Sequence, residues 1–352
     1  MVAIVITIAL LLSYQSSSGP RLWVRAQSSE AHDHQSIQQP LDPDAGLVPS
    51  TPSTSLPGVR DFPRTIWQTG STDGIKEYAK QSQTWSTQNP NHTHVILTDK
   101  DANDFVQQHF PYRPSLLRFW NELRVPVLRA DLLRYLVILS RGGVYSDIDT
   151  SCLMPITQWI PAQYRLSANA VVGIEYDDSS MKMFVRPISF NQWTLMAKPG
   201  HPIFERAAAR VISNLEFLAR QKRQTLSNLK LEMVETLEAT GPGMITDVVM
   251  EVLRDQGHNV DWKTFHALKE PMLLGDVLIL PINGFAGHQK HSHSGDPAFG
   301  PKLVQHHFGR TWYRKKPTPE PEQEQGPRKE VALVKEEQVE KQPVGKHEET
   351  KA

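Results

Sequence analysis

The sequence predicts an α/β fold with a mostly parallel mixed sheet flanked by helices, and three observations carry that prediction. From about Asp61 to Tyr313, β-prone runs alternate with segments whose apolar residues repeat at helical spacing. Gly and Pro punctuate the junctions, at Gly70, Gly142-Gly143, Gly241-Pro242-Gly243 and Pro281. No repeat or linker divides the region, which therefore reads as one domain.

Arg64 to Gln68 is a short β-prone run closed by Gly70. Ile75 to Trp85 has helical spacing, and His94 to Leu97 is a second strand with Asp99 after it as a helix cap. This opening is β-α-β. After Pro126, Leu128, Leu132, Tyr135, Leu136 and Leu139 mark a helix that Gly142-Gly143 ends, and Val144 to Asp149 resumes as a strand. Val171 to Glu175 predicts another strand. Ile203, Phe204, Ala207, Val211, Leu215 and Leu218 trace the buried stripe of a long helix that begins near Pro202. Gly241-Pro242-Gly243 opens a helix to about Arg254, and Val277 to Leu280 is the final strand. In such sheets ligands sit beyond the carboxyl ends of the strands.

The flanks read differently. Val2 to Leu12 is apolar apart from Thr7, shorter than the roughly 17 to 25 residues of a spanning helix, and no small-x-small cleavage site follows. Composition thus leaves residues 1–14 open between a signal peptide and a signal-anchor. Residues 15–60, rich in Ser, Gln, Pro and Asp, have too little apolar surface to offset chain entropy and predict a flexible stem. The domain spans 61–314, and Lys, Glu, Gln and Pro in 315–352 predict a disordered charged tail. Lys plus Arg and Asp plus Glu both total 38, so overall charge offers no attraction to nucleic acid or to an anionic membrane. Cys152 is the only cysteine, which excludes an intramolecular disulfide. Asn91-His92-Thr93 fits the N-glycosylation acceptor pattern, which has meaning only in the secretory lumen.

Asp147-Ile148-Asp149 stands at the predicted end of the Val144 strand. Side chains two apart on a strand point the same way, so the carboxylates converge, and such a pair needs a cation or a proton. Hard oxygen ligands suit Mg²⁺ or Mn²⁺, ions that bridge to phosphate oxygens. Asp-x-Asp also recurs by chance on solvated turns, so its context matters. Asp131 and Arg134, three apart on one face of the preceding helix, offer an acceptor and donors to sugar hydroxyls; the plainer alternative is a helix-surface ion pair. His288, His291 and His293, between Gly287 and Gly295, read as a solvated loop rather than a metal site. A hydrolase fits poorly, because glycosidase carboxylates stand about 5 to 9.5 Å apart across a sugar.

Phe62-Pro63-Arg64-Thr65-Ile66-Trp67-Gln68-Thr69, Arg129-Ala130-Asp131-Leu132-Leu133-Arg134-Tyr135, Gly142-Gly143-Val144-Tyr145-Ser146-Asp147-Ile148-Asp149 and His306-His307-Phe308 occur in that order. Together they resemble glycosyltransferase family 32, most closely its fungal Golgi α-1,6-mannosyltransferases, over nearly all of Asp61 to Tyr313. The resemblance implies a GT-A-type nucleotide-sugar-binding fold, a GDP-mannose donor, Mn²⁺ as cofactor, and retaining transfer of mannose to the N-glycan core of glycoproteins. It implies that Asp131 and Arg134 hold the donor sugar, that Asp147 and Asp149 serve ribose, metal and diphosphate, and that Ile66 and Trp67 lie near the base. His307, preferred over His306, is the expected third metal ligand beside Asp147 and Asp149, and Trp312 is expected in the core or lining the pocket. Family members are usually type II Golgi membrane proteins, which favours an anchor, although no basic residue precedes Val2. The rival expectations are a mannan-extending or sphingolipid mannosyltransferase of the same family, or a non-catalytic subunit of a Golgi mannosyltransferase complex. No nucleic-acid partner is expected.

Overall fold

A computed structural model describes residues 61–181 and 185–309; the expected leader, stem and tail, and Trp312, lie outside the described residues. The first strand, β1 (Thr65–Thr69), buries Ile66, Trp67 and Gln68 in succession, as expected of a strand covered on both faces. Two helices follow, α1 (Thr72–Glu77) and α2 (Ala79–Gln88), where the spacing predicts one. The break falls at Tyr78, whose φ of −103° and ψ of 20° leave the helical region. After β2 (Thr93–Leu97), α3 (Asp99–His109) is capped by Thr98 and not by Asp99. Thr98 and Asp101 form a reciprocal capping box, which satisfies two otherwise orphaned backbone N–H groups.

Next come α4 (Pro114–Glu122) and α5 (Pro126–Arg141), each opened by a proline in its first turn, then β3 (Gly143–Ser146) and β4 (Thr150–Cys152). The chain continues through β5 (Ala170–Asp177), β6 (Ile188–Phe190), β7 (Thr194–Ala197), α6 (Pro202–Lys222), α7 (Met233–Ala239) and α8 (Pro242–Asp255). It ends with α9 (Trp262–Phe265), β8 (Met272–Leu274), β9 (Val277–Leu280), α10 (Ile282–Ala286) and β10 (Val304–His306).

The main sheet has the order β2-β1-β3-β7-β5-β9-β8, with β6 paired to β5. β1 runs parallel to β2 and β3, and β5 parallel to β9, whereas β7 lies antiparallel between β3 and β5. Five strands, β2, β1, β3, β5 and β9, therefore share one direction, and their carboxyl ends open on one edge. This is the predicted α/β architecture, a mixed sheet flanked by helices in which most strands share one direction. A separate two-stranded ribbon pairs β10 with β4 in antiparallel register. The short strands β4, β6, β7, β8 and β10, three or four residues each, escape the sequence reading.

The α5–β3 junction is tightly specified. Gly143 adopts φ +93°, and a Cβ there would collide with the Thr65 carbonyl oxygen of the neighbouring strand. Gly143→Ala is expected to destabilise the fold by about 3 kcal/mol, combining the left-handed backbone cost with overpacking. A lower urea midpoint at unchanged slope would register it.

Candidate active site

β3 stops at Ser146, Asp147 follows it, and Ile148 and Asp149 turn the chain towards β4. The expectation that strand alternation brings the two carboxylates together is corrected here: a clamped turn does it. The Asp147 N–H donates to the Trp193 carbonyl at 2.8 Å, and Gln68 Nε2 donates to the Asp147 carbonyl at 3.0 Å. Gln68 is itself fully buried and accepts from Ser82 Oγ and His94 Nε2, so the clamp cannot swing away.

The third member of the cluster comes from the far end of the chain. The β10–β4 ribbon pairs His306 with Thr150, beside Asp149. His306 Nε2 lies 3.3 Å from Asp149 Oδ1, and the ligand atoms of Asp147, Asp149 and His306 all fall within 4.8 Å of one another. His307, expected as the ligand, instead bonds Ser151 Oγ through its Nε2 at 2.8 Å. Adjacent strand residues face opposite sides, so only one of the two histidines reaches the acids. The ring of His306 lies flat on Trp193, with centroids 4.6 Å apart and planes 9° apart.

Arg134 ties this cluster to the helix behind it. Its NH1 lies 2.7 Å from Asp131 Oδ1 and its NH2 donates to Asp147 Oδ1 at 3.0 Å. The predicted Asp131–Arg134 pair is thus real, but it is buried rather than a surface pair, with side chains only 4% and 5% exposed. Asp131 also accepts from Thr240 Oγ1, so it serves first as the anchor of Arg134. Arg134 Nε is buried without a partner among the described residues and can still donate to a ligand. Tyr145 Oη donates to Asp147 Oδ1 at 2.8 Å and meets Thr69 Oγ1 at 3.1 Å, which settles which oxygen of Asp147 is taken.

These surroundings push the acids apart. Burial raises Asp131 to about 6 against the pull of Arg134, and burial likewise raises Asp147. Burial would raise Asp149 too, but its contacts with His306 and the Gly309 N–H, the latter at 2.8 Å, outweigh that and hold it below the ordinary carboxylate range.

Ile66 and Trp67, expected near the base, pack in the core of β1. Ile66 is fully buried and Trp67 is 8% exposed, its indole N–H spent on the Gly142 carbonyl at 2.9 Å and its ring edge against Phe105. Their apolar bulk is used to seat β1 in the core. His288, His291 and His293 lie in the loop after α10, where His293 stacks on Phe299, and among the described residues Asp147, Asp149 and His306 are the only group able to hold a metal. Sequence reasoning missed Gln68, Tyr145, Trp193 and Thr240. Gln68 and Tyr145 stood inside quoted motifs, whereas Trp193 and Thr240 reach the cluster only through long-range contacts.

Two carboxylates and an imidazole, converging with one oxygen of each acid already held by protein donors, are a donor set that fits a divalent cation such as Mn²⁺. A mixed sheet with such a cluster at its strand ends, backed by a buried arginine, is suited to holding a phosphorylated sugar donor. Residues 76–166 match the family described as glycosyltransferase sugar-binding region containing DXD motif. The chain is 35% identical over 273 residues to the initiation-specific alpha-1,6-mannosyltransferase of Schizosaccharomyces pombe, covering 76% of this chain and 68% of that protein. It is 31% identical over 282 residues to the enzyme of the same name from Candida albicans, covering 72% of each. Mannosyl phosphorylinositol ceramide synthase CSH1 of Saccharomyces cerevisiae is 24% identical over 255 residues, 70% of this chain and 56% of that one. The chain belongs to this family of sugar-transferring enzymes, glycosyltransferase family 32. It is a glycosyltransferase.

Proposed function

We propose that this chain is a metal-dependent, retaining mannosyltransferase that moves mannose from GDP-mannose to the N-glycan core of glycoproteins in an α-1,6 linkage. The observation that carries the reading is the convergence of Asp147, Asp149 and His306 beside Arg134, in a chain whose relatives are named alpha-1,6-mannosyltransferases. Asp147, Asp149 and His306 are the residues that would hold Mn²⁺. When bound, the cation offsets negative charge growing on the leaving diphosphate.

The chain's own residues do the rest. Arg134 keeps an unpartnered Nε–H that a donor oxygen would satisfy, and Asp131 keeps the guanidinium in place. Tyr145 holds one oxygen of Asp147 so that the other is left for the cluster. Asp149 is 13% and His306 12% exposed, so little water competes with these contacts and each is stronger than in bulk solvent. The catalytic domain would work in the Golgi lumen, held in type II orientation by the N-terminal segment and joining a mannosyltransferase complex. Support for that placement is the apolar run Val2 to Leu12 and the exposed Asn91 acceptor tripeptide. Among the described residues, no helix is long and apolar enough to cross a membrane.

The test is transfer by the full-length chain from a panel of nucleotide sugars to a core N-glycan, with Mn²⁺ or with EDTA. Product from GDP-mannose alone is expected, with chelation lowering the rate at least about 100-fold and Mn²⁺ restoring it. Undiminished transfer after exhaustive chelation would remove the metal from the mechanism. Transfer to inositol phosphoceramide instead of the glycan would favour a second reading, for which the likeness to the ceramide synthase speaks.

A further inference from the structure

Glu175, in the carboxyl-terminal half of β5, is a carboxylate that the mechanism above does not use. It is 7% exposed, and a buried charge is costly unless its oxygens are paired. Oε1 accepts from Trp193 Nε1 at 3.2 Å, and the same indole lies flat on the His306 ring. Oε2 has no hydrogen-bond partner among the described residues, and neither has the buried Nδ1 of His306. The two side chains lie within electrostatic reach of each other. Gln289 Nε2 also approaches the Glu175 carboxylate, outside hydrogen-bond alignment.

An imidazole that binds a cation through Nε2 carries its proton on Nδ1, and metal-bound histidines generally donate that proton to a carboxylate, a carbonyl or a water. Among the described residues, Glu175 Oε2 is the only buried carboxylate oxygen without a partner. We propose that Glu175 is the positioning residue of the cluster: its free oxygen accepts the Nδ1 proton of His306 through one buried water. Trp193 spaces the two side chains, and the result is an Nε2 lone pair presented beside Asp149. A carboxylate oxygen has two lone pairs, so Gln289 can share it. A merely structural Glu175, anchoring the indole, would need Oε1 alone. The inference rests on the reading of Asp147, Asp149 and His306 as a cation site.

Glu175→Gln separates the two roles. Glutamine keeps the volume and an acceptor for Trp193, but turns an N–H donor towards His306 and favours the tautomer whose Nε2 cannot ligate. Mn²⁺ binding to the full-length chain, read by electron paramagnetic resonance with no sugar present, is expected to weaken about 10- to 100-fold. Glu175→Asp retains an acceptor and is expected to recover most of that affinity. In a His306→Ala background, Glu175→Gln should cost nothing further. A folded Glu175→Gln chain with wild-type Mn²⁺ affinity overturns the proposal. Should Glu175→Gln not fold, nitrogen-15 shifts of His306 in the wild-type chain decide: a protonated Nδ1 supports the proposal and a protonated Nε2 overturns it. A wild-type chain that binds no Mn²⁺, indistinguishable from Asp149→Asn, overturns the cation reading and the role of Glu175 with it; affinity lost in neither folded Glu175 variant overturns only the latter.

Discussion

Asp149→Asn is expected to lower kcat/KM for sugar transfer by about 10³-fold or more, equivalent to roughly 4 kcal/mol of transition-state stabilisation. The substitution keeps the volume and one acceptor for the Gly309 N–H, but puts an amide where a ligating oxygen faces His306. Asp149→Asn changes no apolar contact and keeps the side-chain volume, so the thermal midpoint should move only a few degrees. What stability it does lose has a defined pH dependence. Asp149 is held below its ordinary value in the fold, so its contribution is present above the unfolded value of about 3.9 and vanishes as pH falls through the folded one. Wild-type and variant melting curves should therefore converge in acid. Near-normal transfer by a folded Asp149→Asn chain would end the assignment of this cluster.

Arg134→Met should be the most damaging single change to the fold as well as to turnover. It leaves Asp131 and Asp147 facing each other in a buried site with no cation between them, a loss of about 3–5 kcal/mol. The sign with pH is opposite to that of Asp149. Asp131 is already raised to about 6, above its unfolded value, so its contribution is fully present in acid and is lost as pH rises through about 6. Without Arg134 it rises further. The deficit of Arg134→Met should then be greatest above pH 6 and shrink towards pH 4, measured by urea unfolding across that range. Adding Asp131→Asn should recover part of it, because one of the two uncompensated charges is gone. A deficit that does not change with pH would show that Arg134 acts through packing alone.

The alternation of strands and helices was legible because it is written in short-range spacing. α5 shows this well, with Pro126 opening it, a run of leucines filling it and Gly142 closing it. The acid pair was legible for the same reason, being contiguous with the glycines that end α5. Other features were misread where local and distant forces compete. Asp99 looked like a cap, yet Thr98 has the reciprocal partner. The resemblance implies Trp67 near the base, and the packing of β1 against α3 buries most of its ring. The Asp131–Arg134 pair was visible as a spacing on one helix face, but not its burial, which depends on Thr240 arriving from the end of α7.

From the sequence alone follow the α/β class, the Asp147–Asp149 pair and the Asp131–Arg134 pair, because each rests on neighbours within a few positions. Only the tertiary structure decides that His306 and not His307 joins the acids, and that Glu175 and His306 meet the same Trp193 indole. The reason is geometric. Alternation along a strand has two equal phases, and nothing nearby in the chain selects one; the choice is made when β10 pairs with β4, a contact between segments distant in sequence.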